Sequence, residues 1–235
     1  VEERDAHRLN ELLGEMASDP AYATGKRKLP TPVSSDDAVA IAAGLQAEVD
    51  RGVEARTAQI TAQGMELACK RGCNGCCEEP IMVYRPEAIA VARFLKRPEN
   101  AEILAAFLAA YPGWKAAIGD TPQRLSDLAS GDERRYLDAH VAGWRKQVMC
   151  AFNHDGACTI YEVRPITCRG AHAVETSAHC NGASPLPAKR VNFVPLDKFI
   201  QKTRVLLGAT HHAIGGPRGR LEALPNIVHH LLTRR

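Results

Sequence analysis

The chain has little charge of one sign to spare: 30 Lys and Arg stand against 27 Asp and Glu, a formal net charge of +3 over 235 residues. So even a balance gives no support to a nucleic-acid or anionic-membrane partner. Long hydrophobic runs are also missing, none approaching the ~20 apolar residues that cross a bilayer. The opening stretch "VEERDAHRLNELLGEM" is acidic and basic by turns, without the apolar segment of a secretory signal. None of the 18 glycines falls in a phosphate-loop pattern, and no strand-to-helix glycine turn of the nucleotide-cradling kind is present. No Ser-His-Asp arrangement announces itself. Hydrolase, nucleotidase and membrane-spanning classes thus find no support, and a soluble, cytoplasmic protein is expected. At this length a core can be buried without covalent help.

What the chain does have is eight cysteines. In a reducing compartment a dense, patterned set points to metal binding or redox chemistry rather than to cross-links. They fall into two sets: Cys69, Cys73, Cys76 and Cys77, then Cys150, Cys158, Cys168 and Cys180. Cys69, Cys73 and Cys76 would share one face of a helix. If Gly72 and Asn74-Gly75 instead break the helix into a knuckle, the CxxC spacing at 73 and 76 still wraps one ion. Cys77 must diverge from its neighbour, so it serves a second metal, bridges two metals, stays a free thiol or is a buried bystander. The second set has gaps of seven, nine and eleven residues, which suits ligands gathered by tertiary folding. Both zinc and iron–sulfur centres use thiolate ligands, so ligands from the two sets are expected to meet.

Several thiolates around a divalent ion carry excess negative charge, and nearby cationic donors offset it. Arg164 and Arg169 bracket Cys168, Pro165 stiffens the approach, and Tyr161 can donate a hydrogen bond. The alternative is ordinary surface arginines and a core tyrosine. His154, His172 and His179 lie near the second set and are weaker ligand candidates. His211-His212 and His229-His230 are expected on solvated helix surfaces, and Trp114 and Trp144 in a core or interface.

Along the chain, residues 2–17 suit a short amphipathic helix followed by a Pro-, Gly- and Ser-bearing arm. Ser34 or Ser35 offers an N-cap to a long helix with Ile41, Leu45, Val49 and Val53 on one face, which delivers the chain to Cys69. A short strand around Ile81 to Tyr84 precedes a helix opened by Pro86. Further helices follow: one stopped by Pro112-Gly113, one starting with Thr121-Pro122 as cap and first position, and one over Asp132 to Lys146. "VMCAFNHDGACTIY" reads as a short hairpin turning at Asp155-Gly156. A strand is expected at Val191 to Val194, then a helix from Pro195 broken by Gly215-Gly216-Pro217, and a final helix at "LPNIVHHLLTRR". The expected fold is mainly α: an irregular helical domain with a short β-hairpin and cysteine-rich loops organised around a metal site. The expected division is an N-terminal helix and arm over 1–35 and one metal-binding helical domain over 36–235, its cysteine core at about 65–180.

"CxxxCxxCC" at 69–77, followed by "CAFNHDGACTIYEVRPITCR" at 150–169, resembles the YkgJ-type cysteine-cluster proteins, a zinc- or iron-chelating domain family. Three residues separate the first two cysteines here, where relatives often have two. The resemblance covers roughly residues 65–172 and implies metal binding by Cys69, Cys73, Cys76, Cys77, Cys150, Cys158 and Cys168, with Cys180 a looser extension. A flagellin lysine N-methylase carries a similar pattern. The leading expectation is therefore a protein binding Zn2+ or Fe, the iron mononuclear or in an iron–sulfur cluster. An iron-dependent enzyme and a zinc-stabilised interaction module with an unidentified protein partner are the alternatives.

Overall fold

Ser34 sets the start of the long helix. Its Oγ accepts from Asp37 N at 3.1 Å while the Asp37 carboxylate accepts from Ser34 N at 3.0 Å, a reciprocal capping box ahead of α1 (Ser35–Ala62). The computed structural model describes residue 21 and residues 33–70, 72–129, 131–170, 172–191, 193–217 and 220–234; the expected helix at 2–17 lies outside them. Leu45 and Val49 are fully buried, with Ile41 and Val53 half-buried on the same face as expected. The helix does not reach Cys69. It ends at Gln63-Gly64, where Gly64 takes φ 71°, and irregular backbone carries the chain onward.

The short strand β1 (Met82–Val83) leads into α2 (Arg85–Leu95), with Pro86 and Glu87 in its first turn. Helix α3 (Ala101–Ile118) runs through Pro112-Gly113, where a stop was expected. The reason is its buried stripe of Phe107, Tyr111, Trp114 and Ile118. Burying such side chains contributes about 1.5–3 kcal/mol each, which outweighs the roughly 3 kcal/mol that an interior proline costs. Helix α4 (Thr121–Leu128) takes Asp120, not Thr121, as its cap position, and α5 (Glu133–Trp144) is capped by Asp132, whose Oδ1 accepts from Arg135 N at 3.1 Å.

The expected hairpin forms: β2 (Asn153–His154) pairs antiparallel with β3 (Ala157–Cys158). Asp155 and Gly156 at φ 49° and 79° make the tight turn that two-residue hairpins favour. Helix α6 (Ile166–Gly170) follows. No strand forms among the described residues of 191–194; Val194 opens α7 (Val194–Ala213) with Pro195 in its first turn. Beyond Gly215, β4 (Glu222–Ala223) pairs with β1, Met82 opposite Ala223, and leads directly into α8 (Leu224–Thr233).

Two apolar clusters hold these elements. One gathers α2, α3, α4, α8 and the hairpin, with Phe107 stacked on Phe152 at 4.2 Å between ring centroids. The other gathers α1, α6 and α7 through Leu45, Val49, Ile166, Leu196, Leu206 and Leu207. The fold is mainly α. Trp114 is a core residue as expected, and Trp144 is half-buried. His211, expected in solvent, is fully buried against Tyr84. Among the described residues no helix is long and apolar enough to cross a membrane.

Candidate metal centre

Of the two local geometries open to the first cysteine group, the knuckle is the one observed. Gly72 takes φ 90°, and the chain tightens into a 3-10 turn at Gly75–Glu78 that carries Cys76 and Cys77. Cys69 lies upstream on an irregular segment whose neighbours are pinned to residues 173–175: Ala68 N donates to Ala173 O at 2.9 Å, and Glu175 N donates to Glu66 O at 2.8 Å. In the same stretch Ala173 N approaches Cys69 Sγ at 3.0 Å.

The second group is delivered by the hairpin and α6. Cys150 N donates to Cys77 O at 2.8 Å, a backbone bond that joins the two groups directly. Phe152, stacked in the core, anchors the hairpin that holds Cys150 and Cys158 on either side. Cys168 rides on α6, whose first N–H, at Ile166, donates to the buried Glu87 Oε1 at 2.9 Å. Cys180 is brought in by a turn in which its N donates to Ser177 O at 3.0 Å. That turn is seated by Gly182 N donating to Glu78 Oε2 at 2.9 Å.

All eight cysteines are free thiols. Their mutual electrostatic influence shows who neighbours whom. Cys180 feels Cys69 and Cys73, whereas Cys168 feels Cys150, Cys76, Cys158 and Cys77. Cys77 in turn feels Cys158 and Cys73, and Cys76 feels Cys77, Cys69 and Cys73. Cys180 therefore neighbours the upstream thiols Cys69 and Cys73, and Cys76 and Cys77 each neighbour thiols of both sets. Among the described residues, however, no group of three or more His, Cys, Asp or Glu side chains is so placed as to hold a metal ion. The thiols are neighbours without converging on one point.

Burial dominates their protonation. It pushes Cys76 and Cys150 up to about 12 and Cys168 well above the ordinary thiol value, with neighbouring thiols adding to the rise. Cys69, Cys77, Cys158 and Cys180 are raised for the same leading reason. Opposing this, Arg164 favours the thiolates of Cys77 and Cys158, and Arg190 those of Cys69 and Cys180. The Arg164 guanidinium lies 4.0 Å from the Tyr161 ring centroid, and its buried Nε has no hydrogen-bond partner among the described residues. The buried Asn153 Nδ2 has no regular hydrogen bond but sits at Cys77, where it opposes the rise that burial imposes on that thiol.

Arg169 is placed differently. Its nitrogens bond Asp50 and the carbonyls of Glu162 and Arg164, tying α6 to α1 rather than facing sulfur. Of the histidines, His154 pairs with Asp155 in solvent, His172 is buried against Arg56, and His179 Nδ1 meets Ser184 Oγ at 3.0 Å. Sequence reasoning missed Arg190 and Asn153. Asn153 stands inside the hairpin string, where its place beside Cys150 could have drawn notice; Arg190 is in a loop with no local signal.

No protein-family model matches the chain, and no curated protein or solved structure matches it significantly.

Proposed function

We propose that this is a cytoplasmic metal-binding cysteine-cluster protein that holds zinc or iron on thiolates from both cysteine groups. The observation that carries the reading is the gathering of eight free thiols from two distant segments, joined by the Cys150–Cys77 backbone bond. Seven of these cysteines are half-buried and one is buried, and their donor chemistry suits zinc or iron. Cys69, Cys73 and Cys180 would supply ligands on one side, Cys77, Cys150, Cys158 and Cys168 on the other, and Cys76 to either. Arg164 and Arg190 would offset the charge of the thiolates, with Tyr161 supporting Arg164 and Arg169 holding α6 in position. The reading requires the sulfurs to close on the ion by side-chain rotation and small loop shifts, as sites completed by their metal do.

The test is elemental analysis of protein purified without chelators, both in air and anaerobically, with an absorption spectrum of each. One or more equivalents of zinc or iron is expected. Less than about half an equivalent of any transition metal in both preparations overturns the reading.

A second reading, an iron-dependent enzyme, is favoured by one observation: a cavity opens beside the thiols, with Glu79 and Thr167 in its wall. Sulfur-to-iron absorption bleached by reductant supports it, and a colourless protein with tightly held zinc counts against it.

A further inference from the structure

The cavity beside the cluster has a volume of about 390 Å3, and none of the eight sulfurs lines it. Its wall is drawn from Glu79 after the 3-10 turn, Tyr84 before α2, Tyr136 and His140 on α5, Thr167 on α6 and Arg204 on α7. A volume of that order accepts a small organic molecule.

Its carboxylates are already engaged. The Glu87 carboxylate accepts from Ile166 N at 2.9 Å and from Tyr84 N at 3.4 Å, and Glu79 faces His140 Nε2 at 3.5 Å. Four side-chain donors are not engaged. Arg204, the only lysine or arginine in the lining, has no hydrogen bond or ion pair among the described residues, and the hydroxyls of Tyr136, Tyr84 and Thr167 have no hydrogen-bond partner among them. Arg204 is exposed, and its charge is felt by Tyr84, Glu87 and Tyr136, so the guanidinium stands at the solvent side of the cavity, facing α2 and α5.

The unused groups are all hydrogen-bond donors, one of them positively charged, and Arg204 and Tyr136 among them stand over an apolar surface that includes Leu207 and Leu221. That combination recognises one anionic acceptor attached to an apolar body. Glu79 and Glu87 on the same wall disfavour a second negative charge, which sets a carboxylate apart from a doubly charged phosphate. We propose that this cavity binds a small monocarboxylate, its carboxylate held by Arg204 and the Tyr136 hydroxyl and its apolar body against Leu207 and Leu221. The assignment stands whether or not the cysteines hold a metal.

The test titrates hexanoate and benzoate, their uncharged amides and inorganic phosphate into the full chain, followed by calorimetry. The protein is first stripped of metal under reductant, and the series is repeated after adding zinc. Saturable binding of an acid with Kd at or below about 1 mM is expected, with its amide and phosphate at least about tenfold weaker. Arg204→Gln should weaken the acid at least about tenfold without moving the ligand-free Tm, because Arg204 supports no bond in the fold, and Tyr136→Phe should weaken it severalfold. The proposal is overturned by acids that fail to bind at about 10 mM, by amides or phosphate binding as well as the acids, or by unchanged affinity in Arg204→Gln. Binding that appears only after zinc is added overturns it too, since the carboxylate would then be on the metal.

Discussion

The backbone N–H of Cys150 donates to the carbonyl of Cys77 at 2.8 Å. This contact fixes the register between a 3-10 turn and a hairpin that lie more than seventy residues apart in sequence. Being a backbone bond, it sets the approach of the two segments whatever the side chains do. It brings Cys76 and Cys77 near the thiols of the second group while both remain near Cys73.

Burial of the thiols predicts a steep pH dependence of metal uptake. With Cys76 and Cys150 at about 12 and Cys69, Cys77, Cys158, Cys168 and Cys180 raised, these thiols are largely protonated at neutral pH in the metal-free cluster. Each thiolate formed on a metal must expel its proton, so the apparent affinity rises with pH. Zinc titrated against a chromophoric chelator should bind at least about tenfold more tightly at pH 8 than at pH 6.5. Equal affinities would mean that the thiols are not the ligands. In the metal-free protein, Cys150 and Cys168 should also be among the slowest to react with iodoacetamide, because the thiolate is the nucleophile.

The nearness of Cys180 to Cys69 and Cys73 predicts which ligand losses are redundant. Cys180→Ser and Cys69→Ser should remove the same fraction of bound zinc, and the double variant no more than either alone. Cys180→Ser combined with Cys168→Ser should remove the sum. Residues of one network couple while separate sites add, and zinc retained after dialysis reads the difference. Additivity in both pairs would mean that Cys180 does not act with Cys69.

Much of this arrangement was legible beforehand, and the parts that were not share a cause. The capping box at Ser34, the Asp155-Gly156 turn and the Pro-opened helices are set by local chemistry, and each stands within a residue or so of its expected place. Pro112 failed as a stop because tertiary burial of Tyr111 and Trp114 outweighs a local penalty. The partnership of Cys180 with Cys69 and Cys73 was hidden because it depends on a loop seated by Glu78 and Gly182, which no spacing reveals. The same holds for Arg204, an ordinary arginine in sequence that acquires neighbours only when α2, α5 and α7 meet.

Gly75 shows how tightly that loop is seated. A Cβ there would lie 2.9 Å from the Cys180 Cβ and 3.3 Å from the Ser177 carbonyl oxygen. Gly75→Ala should therefore destabilise by about 1–3 kcal/mol, the range for overpacking a close contact, and expose the 177–182 loop to proteolysis. Gly113→Ala, in the middle of α3 with nothing near its Cβ position, should instead stabilise by up to about 1 kcal/mol. If thermal unfolding put both substitutions at the same Tm, the close approach of the loop to the turn would be wrong.

His211 predicts how the fold itself responds to acid. Its Nδ1 accepts from Arg85 N at 3.1 Å and its Nε2–H donates to Pro217 O at 3.0 Å, so the buried neutral ring is satisfied on both sides. Protonation would end the Arg85 bond and bury a charge. Burial accordingly lowers its pKa from 6.5 to about 4, with His212 and Arg85 adding to the fall. Between those values the unfolded chain binds a proton that the folded chain refuses. Stability from this group is thus complete above pH 6.5 and is lost as pH falls toward about 4. Glu87, whose pKa burial raises, works in the opposite direction, so the measurement must be a difference that leaves Glu87 in place. In urea unfolding with chelator and reductant present, native protein should lose about 2 kcal/mol more than His211→Gln between pH 7.5 and pH 5. Parallel losses in the two proteins would show that the ring is not held neutral between Arg85 and Pro217.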